Sequence, residues 1–281
     1  MTIQTNVTAE STSRFVGTRS YRMHYYEAGA GTPIIMLHGS GPGATGWSNF
    51  WPNIAVLAEN FRVLAVDMPG WGKSETEDAQ RGNDHTQFVI DFMDAVGIDR
   101  AALVGNSMGG MTALKVAAFH PSRVSHLITM GSSAPGPNYF APAGGPSEGL
   151  KVLREAYEEP SAANMKRLVQ IMCYDQSIAT DELAALRSEA ALANRAHLAS
   201  FLIRKWIPDN GTLLPALQKS TVPALFFHGR DDRVVTYENS LRLASIVPNS
   251  RLLLINRCGH WLQIEHAHEF NRTVAQFVSS N

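Results

Sequence analysis

The residue with the clearest chemical signature in this 281-residue chain is Ser107, which stands between two glycines in the run LVGNSMGG. The run fits the pattern G-x-S-x-G, with an apolar, strand-like segment before it and a helical pattern after it. A serine on such a sharp turn is presented at a helix N-terminus, where backbone N–H groups favour a developing negative charge. Gly105 and Gly109 leave room for the close packing that the turn demands. The pattern therefore predicts that Ser107 is a nucleophile.

A serine nucleophile needs two partners, because its hydroxyl is weakly nucleophilic until a histidine accepts the proton and a carboxylate orients that histidine. After a strand–turn–helix serine of this kind, the expected chain order is Ser, Asp, His. The segment GRDDRVV supplies two adjacent acids, and CGHW supplies His260. We choose Asp232, three residues past Gly229, because the loop needs that reach before a carboxylate can turn toward the histidine. Asp231 is the alternative, and its structural interpretation is a capping or turn residue.

The glycine-rich segment LHGSGPGATGW could supply N–H donors for a tetrahedral oxyanion. We assign one donor to the amide of Ser40, with Gly39 and Gly41 giving the backbone its freedom, and the second to the amide of Met108. Loss of one such donor typically lowers the rate by about 100 to 1,000-fold. His38, which opens this loop, is expected to be structural. An ordinary turn or a phosphate loop is the alternative, although the Gly-Lys-Ser/Thr of a phosphate loop is absent.

The elements that must position these residues follow from the hydrophobic pattern. Two runs with helical periodicity begin at Thr86 and Met108, and a better-alternating run from Tyr21 predicts an antiparallel strand at the start of the sheet. Apolar runs without polar alternation predict strands of a parallel sheet covered on both faces. They begin at Pro33, Phe61, Ala101, Val124, Pro223 and Arg251. The alternation of strands and helices predicts an open, mostly parallel α/β sheet flanked by helices.

This alternation lapses between Ser133 and Leu217, where a Gly/Pro-rich connection leads into the helical segments EGLKVLREAYEEP and TDELAALRSEAALANRAHLASFL. Because the sheet resumes afterwards, we expect residues 133–217 to form an inserted helical cap over the carboxyl ends of the strands. Residues 1–132 and 218–281 then form the core. His266 is expected within the final helix.

Composition excludes several classes of protein. The 24 Lys and Arg residues nearly balance the 25 Asp and Glu residues, so no basic field would attract nucleic acid. No apolar run reaches the roughly 18 residues needed to span a bilayer, and no targeting segment is evident, so a cytoplasmic location is expected. Cys173 and Cys258 lack the spacing of a disulfide framework or a zinc site and are expected to be buried thiols. No residues point to a metal or cofactor, and a small molecule is the expected partner.

Together these motifs resemble the α/β-hydrolase superfamily and, more narrowly, the meta-cleavage product hydrolases, which cleave carbon–carbon bonds in aromatic degradation. The segments that carry the resemblance are HGSGPGATGWSNF, LVGNSMGGMTAL, MCYDQSIATDELAALR, and GRDDRVV followed by CGHWLQIEH. The cap segment YDQSIATDEL makes it specific, since a general esterase has no reason to share it. The resemblance implies an α/β-hydrolase fold and a homodimer or larger assembly. It also implies a dienoate substrate of the 2-hydroxy-6-oxohexa-2,4-dienoate type, cleaved by water into 2-hydroxypenta-2,4-dienoate and a carboxylic acid.

The resemblance also implies roles for particular residues. It places the catalytic triad on Ser107, Asp232 and His260 and the oxyanion donors on Ser40 and Met108. Its substrate contacts, beside the dienoate end, are Asn49, Asn106, Arg187 and Trp261, next to Gly39 and Gly41 of the oxyanion loop. An arginine can bind a carboxylate with two parallel hydrogen bonds, which fits Arg187 as the anchor for the substrate's acid group. The structural interpretations are a surface arginine, asparagines that cap loops and a tryptophan in the core.

Two other functions stay open at this point. A carboxylesterase would use the same triad and oxyanion hole, because fold alone does not determine function. Arg187, Asn106 and Asn49 argue against it, since an esterase gains nothing from them. A slowly turning ligand receptor built on the same fold is the second alternative. Haloalkane dehalogenases and epoxide hydrolases of this fold use an aspartate as the nucleophile, so Ser107 argues against both.

Overall fold

The structure, a computed structural model, describes residues 7–81, 85–140, 145–205 and 211–280. Within these ranges the strands are β1 (Ser13–Gly17), β2 (Arg22–Ala28), β3 (Pro33–Leu37), β4 (Arg62–Val66), β5 (Ala101–Asn106), β6 (Val124–Met130), β7 (Ala224–Gly229) and β8 (Ser250–Ile255). They form one sheet in the order β1-β2-β4-β3-β5-β6-β7-β8. The β1–β2 and β2–β4 pairs are antiparallel, and all the others are parallel. The expected antiparallel strand near Tyr21 is therefore present as β2.

Helices cover both faces of the sheet. In the described ranges they are α1 (Ala9–Thr12), α2 (Gly46–Leu57), α3 (Thr86–Ala95), α4 (Met108–Phe119), α5 (Glu148–Glu158), α6 (Ala162–Met172), α7 (Asp181–Leu192), α8 (Arg195–Ile203), α9 (Leu213–Gln218), α10 (Glu238–Ile246), α11 (Leu262–Glu265) and α12 (Ala267–Ser279). Helices α3, α4, α9 and α10 pack on one face of the sheet, and α2 and α12 pack on the other. The prediction of an α/β fold with a mostly parallel, doubly covered sheet is confirmed.

The apolar runs explain why the central strands are buried on both faces. Successive side chains of a strand point to opposite faces. In β3, Ile35 and Leu37 join the core on one side of the sheet, and Ile34 and Met36 join the core on the other. The run at Arg251 differs from the expectation of full burial, because β8 pairs only with β7 and so is an edge strand with Arg251 and Leu254 exposed.

Helices α5 to α8, which we name the cap, lie between β6 and β7 in the chain and share a third apolar cluster. The second predicted helical segment divides into α7 and α8 at Ala193 and Asn194. Helix α9, inside the expected insertion, packs instead against the core through Leu213 and Leu217. Residues 141–144 of the Gly/Pro-rich connection and residues 206–210 lie outside the described part of the chain.

The parallel strands bring the predicted chemistry to one edge of the sheet. The loops that follow β3, β5, β7 and β8 carry Ser40, Ser107, Asp232 and His260 in turn. Ligands of open α/β sheets bind at this edge, outside the carboxyl ends of the strands. The placement of His266 differs from the expectation, because this residue lies between the short helix α11 and helix α12, at the N-cap position of α12 and without a side-chain capping bond. No helix in the described ranges has both the length and the apolar character to cross a membrane.

Candidate active site

Ser107 stands on a strained turn between β5 and α4, with φ of 53° and ψ of −114°. A positive φ at a residue other than glycine costs about 1–3 kcal/mol and persists only where the surroundings enforce it. The Ser107 amide donates to the carbonyl of Met130 at 2.9 Å. A Cβ on Gly105 would lie 2.3 Å from the carbonyl oxygen of Gly109, and one on Gly109 would lie 2.1 Å from that of Leu37. Both flanking glycines are therefore required by close backbone packing.

His260 and Asp232 form a buried hydrogen-bonded pair. The Nδ1 atom of His260 lies 2.7 Å from Oδ2 of Asp232. The other carboxylate oxygen accepts from the amides of Val234 at 2.8 Å and Val235 at 3.0 Å. Gly131, at the end of β6 with φ of 57°, leaves the space, since a Cβ there would lie 2.7 Å from Nδ1 of His260. The pair is thus fixed in both position and orientation.

The neighbouring acid, Asp231, binds elsewhere. Its carboxylate accepts from the amide of Arg257 at 2.9 Å, and its own amide donates to the carbonyl of Cys258 at 3.0 Å. Arg257 has a positive φ of 52°, so Asp231 stabilises the turn that leads to His260. Of the two adjacent acids, the structure brings Asp232 to the histidine and gives Asp231 a turn position.

A second imidazole, that of His228, also contacts Asp232, and the sequence reasoning missed it. Its Nε2 atom lies 3.2 Å from Oδ2 of Asp232 and 2.8 Å from the carbonyl of Val235, while Nδ1 lies 2.6 Å from the hydroxyl of Ser240. The carbonyl neighbour places the proton on Nε2. Burial by itself raises the pKa of Asp232, but His260 and His228 outweigh it and hold that pKa well below its usual range. Asp232 is therefore ionised at neutral pH.

The glycine-rich loop after β3 is held in place by hydrogen bonds to its side chains and carbonyl groups. Nδ1 of His38 bonds the carbonyl of Gly39 at 2.7 Å, and Nε2 accepts from the amide of Met68 at 2.9 Å. Burial lowers the pKa of His38, which keeps the ring neutral in this tautomer. The hydroxyl of Tyr157, from the cap, donates to the carbonyl of Ser40 at 2.7 Å. His38 thus has the expected structural position.

The amides of Ser40 and Met108 donate to no acceptor in the described part of the chain. Ser40 lines the same cavity as Ser107, and Met108 follows Ser107 as the first residue of α4. A Cβ on Gly39 would lie 3.3 Å from Cβ of Ser107 and 2.9 Å from Oδ1 of Asn106. The absence of a side chain at Gly39 therefore lets the loop approach Ser107.

A cavity lies between the glycine-rich loop after β3, Ser107, His260 and the cap. The described contacts include no hydrogen bond between the side chains of Ser107 and His260, and such bonds often form fully only when substrate binds. All six residues expected to contact the substrate line this cavity: Gly39, Gly41, Asn49, Asn106, Arg187 and Trp261. The structure thus gathers around one cavity residues that lie far apart in sequence.

Arg187 of α7 is buried with its guanidinium 5.0 Å from the ring centroid of Trp261. Its Nη2 atom makes a long hydrogen bond of 3.4 Å to the carbonyl of Pro42, and Nε has no partner within the described residues. No described carboxylate lies within ion-pair distance. Burial lowers the pKa of Arg187 to about 10. A buried charge is costly unless it is paired, so this guanidinium suits an anion bound in the cavity.

The two asparagines also have bonds within the protein. Nδ2 of Asn106 donates to the carbonyls of His260 at 3.2 Å and Met130 at 3.3 Å, which leaves its buried Oδ1 without a partner among the described residues. Oδ1 of Asn49 accepts from Nε2 of Gln263 at 3.4 Å. Asn106 therefore bridges the end of β5 to the loop of His260, as its structural interpretation holds, whereas Asn49 joins helix α2 to helix α11. Both asparagines also border the cavity.

A second, larger cavity also borders Ser107 and was not expected from the sequence. Ser40, Ser107 and Leu150 border both cavities. The remaining walls combine apolar with polar side chains. The apolar ones are Met108, Met111, Phe201 and Val235, and the polar ones are His85, Thr112, Lys115, Ser133 and Arg204. This space forms where helices of the cap meet the core, so no single sequence segment reveals it.

Comparison with known proteins assigns the chain to a family. The family model described as alpha/beta hydrolase fold matches residues 32–267. The chain is 42% identical to a 2-hydroxy-6-oxononadienedioate/2-hydroxy-6-oxononatrienedioate hydrolase of Cupriavidus pinatubonensis over 98% of each chain. It is 40% identical to a 2-hydroxy-6-oxo-6-phenylhexa-2,4-dienoate hydrolase of Comamonas testosteroni, covering 98% of this chain and 99% of that one.

A solved structure of a meta-cleavage product hydrolase from Pseudomonas fluorescens aligns with a TM-score of 0.82 and 32% identity, over 95% of this chain and 97% of that one. The chain therefore belongs to the α/β-hydrolase fold family and, within it, to the meta-cleavage product hydrolases. The family expected from the motifs is confirmed.

Proposed function

We propose that the protein hydrolyses a carbon–carbon bond of 2-hydroxy-6-oxohexa-2,4-dienoate-type compounds, giving 2-hydroxypenta-2,4-dienoate and a carboxylic acid. The observation that carries this proposal is the buried guanidinium of Arg187, which lacks a carboxylate partner among the described residues and lines the cavity of Ser107. The substrates named for the relatives each carry a carboxylate at the dienoate end, which supplies the missing charge.

The two cavities suggest how such a substrate lies. Its carboxylate binds Arg187 in the smaller cavity, with Asn106 and Asn49 beside the dienoate. The substituent beyond the ketone occupies the larger cavity. Because Ser107 borders both spaces, the ketone carbon between the two ends comes next to the nucleophile.

The polar residues around the dienoate do more than bind it. Direct cleavage of the bond would expel a carbanion, which is a far poorer leaving group than an alkoxide. If the dienol first becomes a ketone, by moving its hydroxyl proton to the carbon next to the reacting ketone, the new carbonyl can accept the electron pair of the breaking bond. Groups that hold the dienoate, Arg187 above all, therefore act on the reaction as well as on affinity.

The acyl-transfer steps fall to the triad. His260 removes the proton of Ser107 while Asp232 orients the ring, and the serine oxygen attacks the ketone carbon. The amides of Ser40 and Met108 stabilise the resulting oxyanion. The carbon–carbon bond then breaks, its electron pair enters the conjugated carbonyl, and the dienol leaves. His260 next activates a water that releases the carboxylic acid from Ser107.

A carboxylesterase is the second candidate, because the same triad and amides serve an activated ester. Arg187 argues against this candidate. Burying its charge without a partner among the described residues is destabilising, and a neutral ester has no carboxylate to compensate that charge.

The test is turnover of a phenyl-substituted and an alkyl-substituted dienoate, followed by the loss of their visible absorbance, with p-nitrophenyl acetate alongside. We expect rapid loss with the wild type, none with Ser107→Ala, and a large decrease with Arg187→Ala. Arg195→Ala, which changes an exposed arginine of α8, is the matched control. Rapid ester cleavage without dienoate turnover would show that the protein is a carboxylesterase. Dienoate binding without multiple turnover would indicate a ligand receptor.

The remaining expectations join this proposal. An inserted segment spanning residues 133–217 that contains the cap, a cytoplasmic location and a homodimer or larger assembly are what the family resemblance and the sequence pattern favour. Light scattering on the purified chain tests the assembly.

A further inference from the structure

Glu265, the last residue of α11, accepts backbone hydrogen bonds from two separate segments. Its Oε1 atom accepts from the amides of Tyr174 and Asp175, each at 2.8 Å. Its Oε2 atom accepts from the amide of Gly259 at 2.6 Å. Tyr174 and Asp175 follow the cap helix α6, whereas Gly259 immediately precedes His260. One carboxylate thus joins the cap to the loop that carries the histidine of the pair.

The backbones of these two segments are in direct contact. The carbonyl of Met172, at the end of α6, accepts from the amides of His260 at 2.7 Å and Trp261 at 3.3 Å. A Cβ on Gly259 would lie 2.5 Å from that carbonyl oxygen and 2.9 Å from Cα of Cys173. The backbone position of His260 is therefore determined by the end of a cap helix as well as by β8.

The chemistry of Glu265 fits this role. The side chain is half-buried, and no described lysine or arginine lies within ion-pair distance of it. Burial raises the pKa of Glu265, although the three amides favour its charged form. A partly desolvated carboxylate needs donors, and here all the described donors are backbone amides of the junction.

We propose that Glu265 is a positioning residue that fixes the cap against the His260 loop and so holds His260 and Trp261 in their places. It touches neither the cavity of Ser107 nor the reacting groups. The catalytic consequence rests on the proposed function, but the structural consequence does not. Removing the carboxylate separates α6 from the loop locally, and the rest of the fold stays intact.

The chain offers a native probe of this junction. Its two cysteines, Cys173 and Cys258, stand directly beside the bonded amides, and both are buried. In Glu265→Gln a single side-chain oxygen can serve the cap amides or Gly259, but not both. We expect a thiol reagent under native conditions to modify the two cysteines about tenfold faster than in the wild type, as the loss of hydrogen bonds to a charged group implies. Glu182→Gln, on the exposed face of α7, is the control.

The turnover number, kcat, distinguishes a positioning role of Glu265 from a purely structural one, because a purely structural role would leave kcat unchanged. Since His260 serves dienoate and ester alike, we expect kcat to fall about tenfold for both dienoate and p-nitrophenyl acetate in Glu265→Gln, with the melting temperature lowered by only about 2–4 °C. Unchanged thiol reactivity would overturn the junction, and faster modification with unchanged kcat would overturn the positioning role. If the wild type cleaves only the ester, the proposed function fails while the ester and thiol measurements still decide this inference.

A second variant approaches the junction from the cap. Asp175→Pro removes one amide donor and leaves Glu265 in place, and the φ of −74° at Asp175 suits proline. We expect a smaller increase in thiol modification and a smaller decrease in kcat than in Glu265→Gln. Thiol reactivity and kcat equal to those of the wild type would count against the proposal.

Discussion

Arg187 is a buried guanidinium whose only described polar contact is a long bond to the Pro42 carbonyl. Replacing a buried, uncompensated charge with an apolar side chain of similar length removes a desolvation cost. We expect Arg187→Met either to leave the melting temperature unchanged or to raise it by about 2 °C or more. In the same variant kcat/KM for a dienoate should fall about 100-fold. Calorimetry and steady-state kinetics on the same preparation measure both quantities.

Ester cleavage is the internal control for that variant, since p-nitrophenyl acetate has no carboxylate to bind and its kcat/KM should stay within about twofold. A lower melting temperature together with unimpaired dienoate turnover would mean that Arg187 is a structural residue.

Asp232 links the site to the pH dependence of stability. Its pKa is depressed in the folded protein, so its ionisation stabilises the fold above the unfolded-state pKa of about 4, and this contribution is lost as the pH falls through the acid range. We expect Asp232→Asn to lower the free energy of unfolding by about 1–3 kcal/mol at pH 7 and by progressively less below pH 4. Urea titrations at several pH values test this. A constant difference, or one no larger than that of Asp99→Asn at an exposed site, would contradict it.

Single residues also show how far the sequence can be used. Ser107, Asp232 and His260 follow strands in a fixed order, so the sequence can predict that their loops meet. His228 could not be found this way, because its contact with Asp232 depends on how the β7 loop folds back on itself. Its only signal is a histidine directly before Gly229, and ten histidines in the chain make such a signal weak.

At the scale of elements, helix propensity and backbone packing make opposite predictions for a substitution at the turn between β5 and α4. Helix propensity alone predicts that Gly109→Ala is stabilising by about 1 kcal/mol, because Gly109 lies in α4. The added Cβ would, however, meet the backbone of Leu37. We expect a loss of about 2–3 kcal/mol or more in the free energy of unfolding, together with loss of activity.

The matched control is Gly17→Ala in β1, where an added Cβ meets nothing within 4 Å and the backbone needs no glycine. Its stability should stay within about 0.5 kcal/mol of the wild type. Equal changes in the free energy of unfolding of the two variants would mean that the turn between β5 and α4 accommodates an added Cβ at Gly109 without cost.

Strands β2 to β8 were predictable from an alternating run and from continuous apolar runs, and helices α3 and α4 from their helical period. Strand β1 was not predicted. Helix α2 has no such signal, because Pro52 lies inside it and proline removes a backbone donor. The run at Arg251 predicted β8 correctly as a strand. The position of β8 at the edge of the sheet could not be predicted, because the order of strands in a sheet does not follow from the sequence of any single apolar run.

At the scale of the whole molecule, a buried ion pair joins the cap to the core. Arg204, just after α8, pairs with Glu77 of the core, and both side chains are almost wholly buried. Removing one partner leaves an unpaired buried charge, so we expect Glu77→Gln to cost about 3 kcal/mol of unfolding free energy.

The double variant Glu77→Gln with Arg204→Met removes both charges and should recover most of that stability. A double-mutant cycle by chemical denaturation measures the coupling. Strict additivity of the two changes would show that the pair does not hold the cap to the core.

The two cavities likewise belong to the whole molecule. Arg187 and Leu150 of the cap meet Ser107 and Asn49 of the core only when the cap lies over the strand ends. The sequence could suggest these residues through family resemblance, but neither the division into two spaces nor the burial of Arg187 follows from local patterns, because both depend on packing between distant segments.

The most direct test of the central claim is the identity of the products formed in ¹⁸O-labelled water from a 2-hydroxy-6-oxo-dienoate, measured by mass spectrometry. The account predicts 2-hydroxypenta-2,4-dienoate together with a carboxylic acid carrying one ¹⁸O atom, and neither product with Ser107→Ala. An intact carbon skeleton after prolonged incubation, with p-nitrophenyl acetate still hydrolysed, would contradict carbon–carbon bond hydrolysis as the function of this protein.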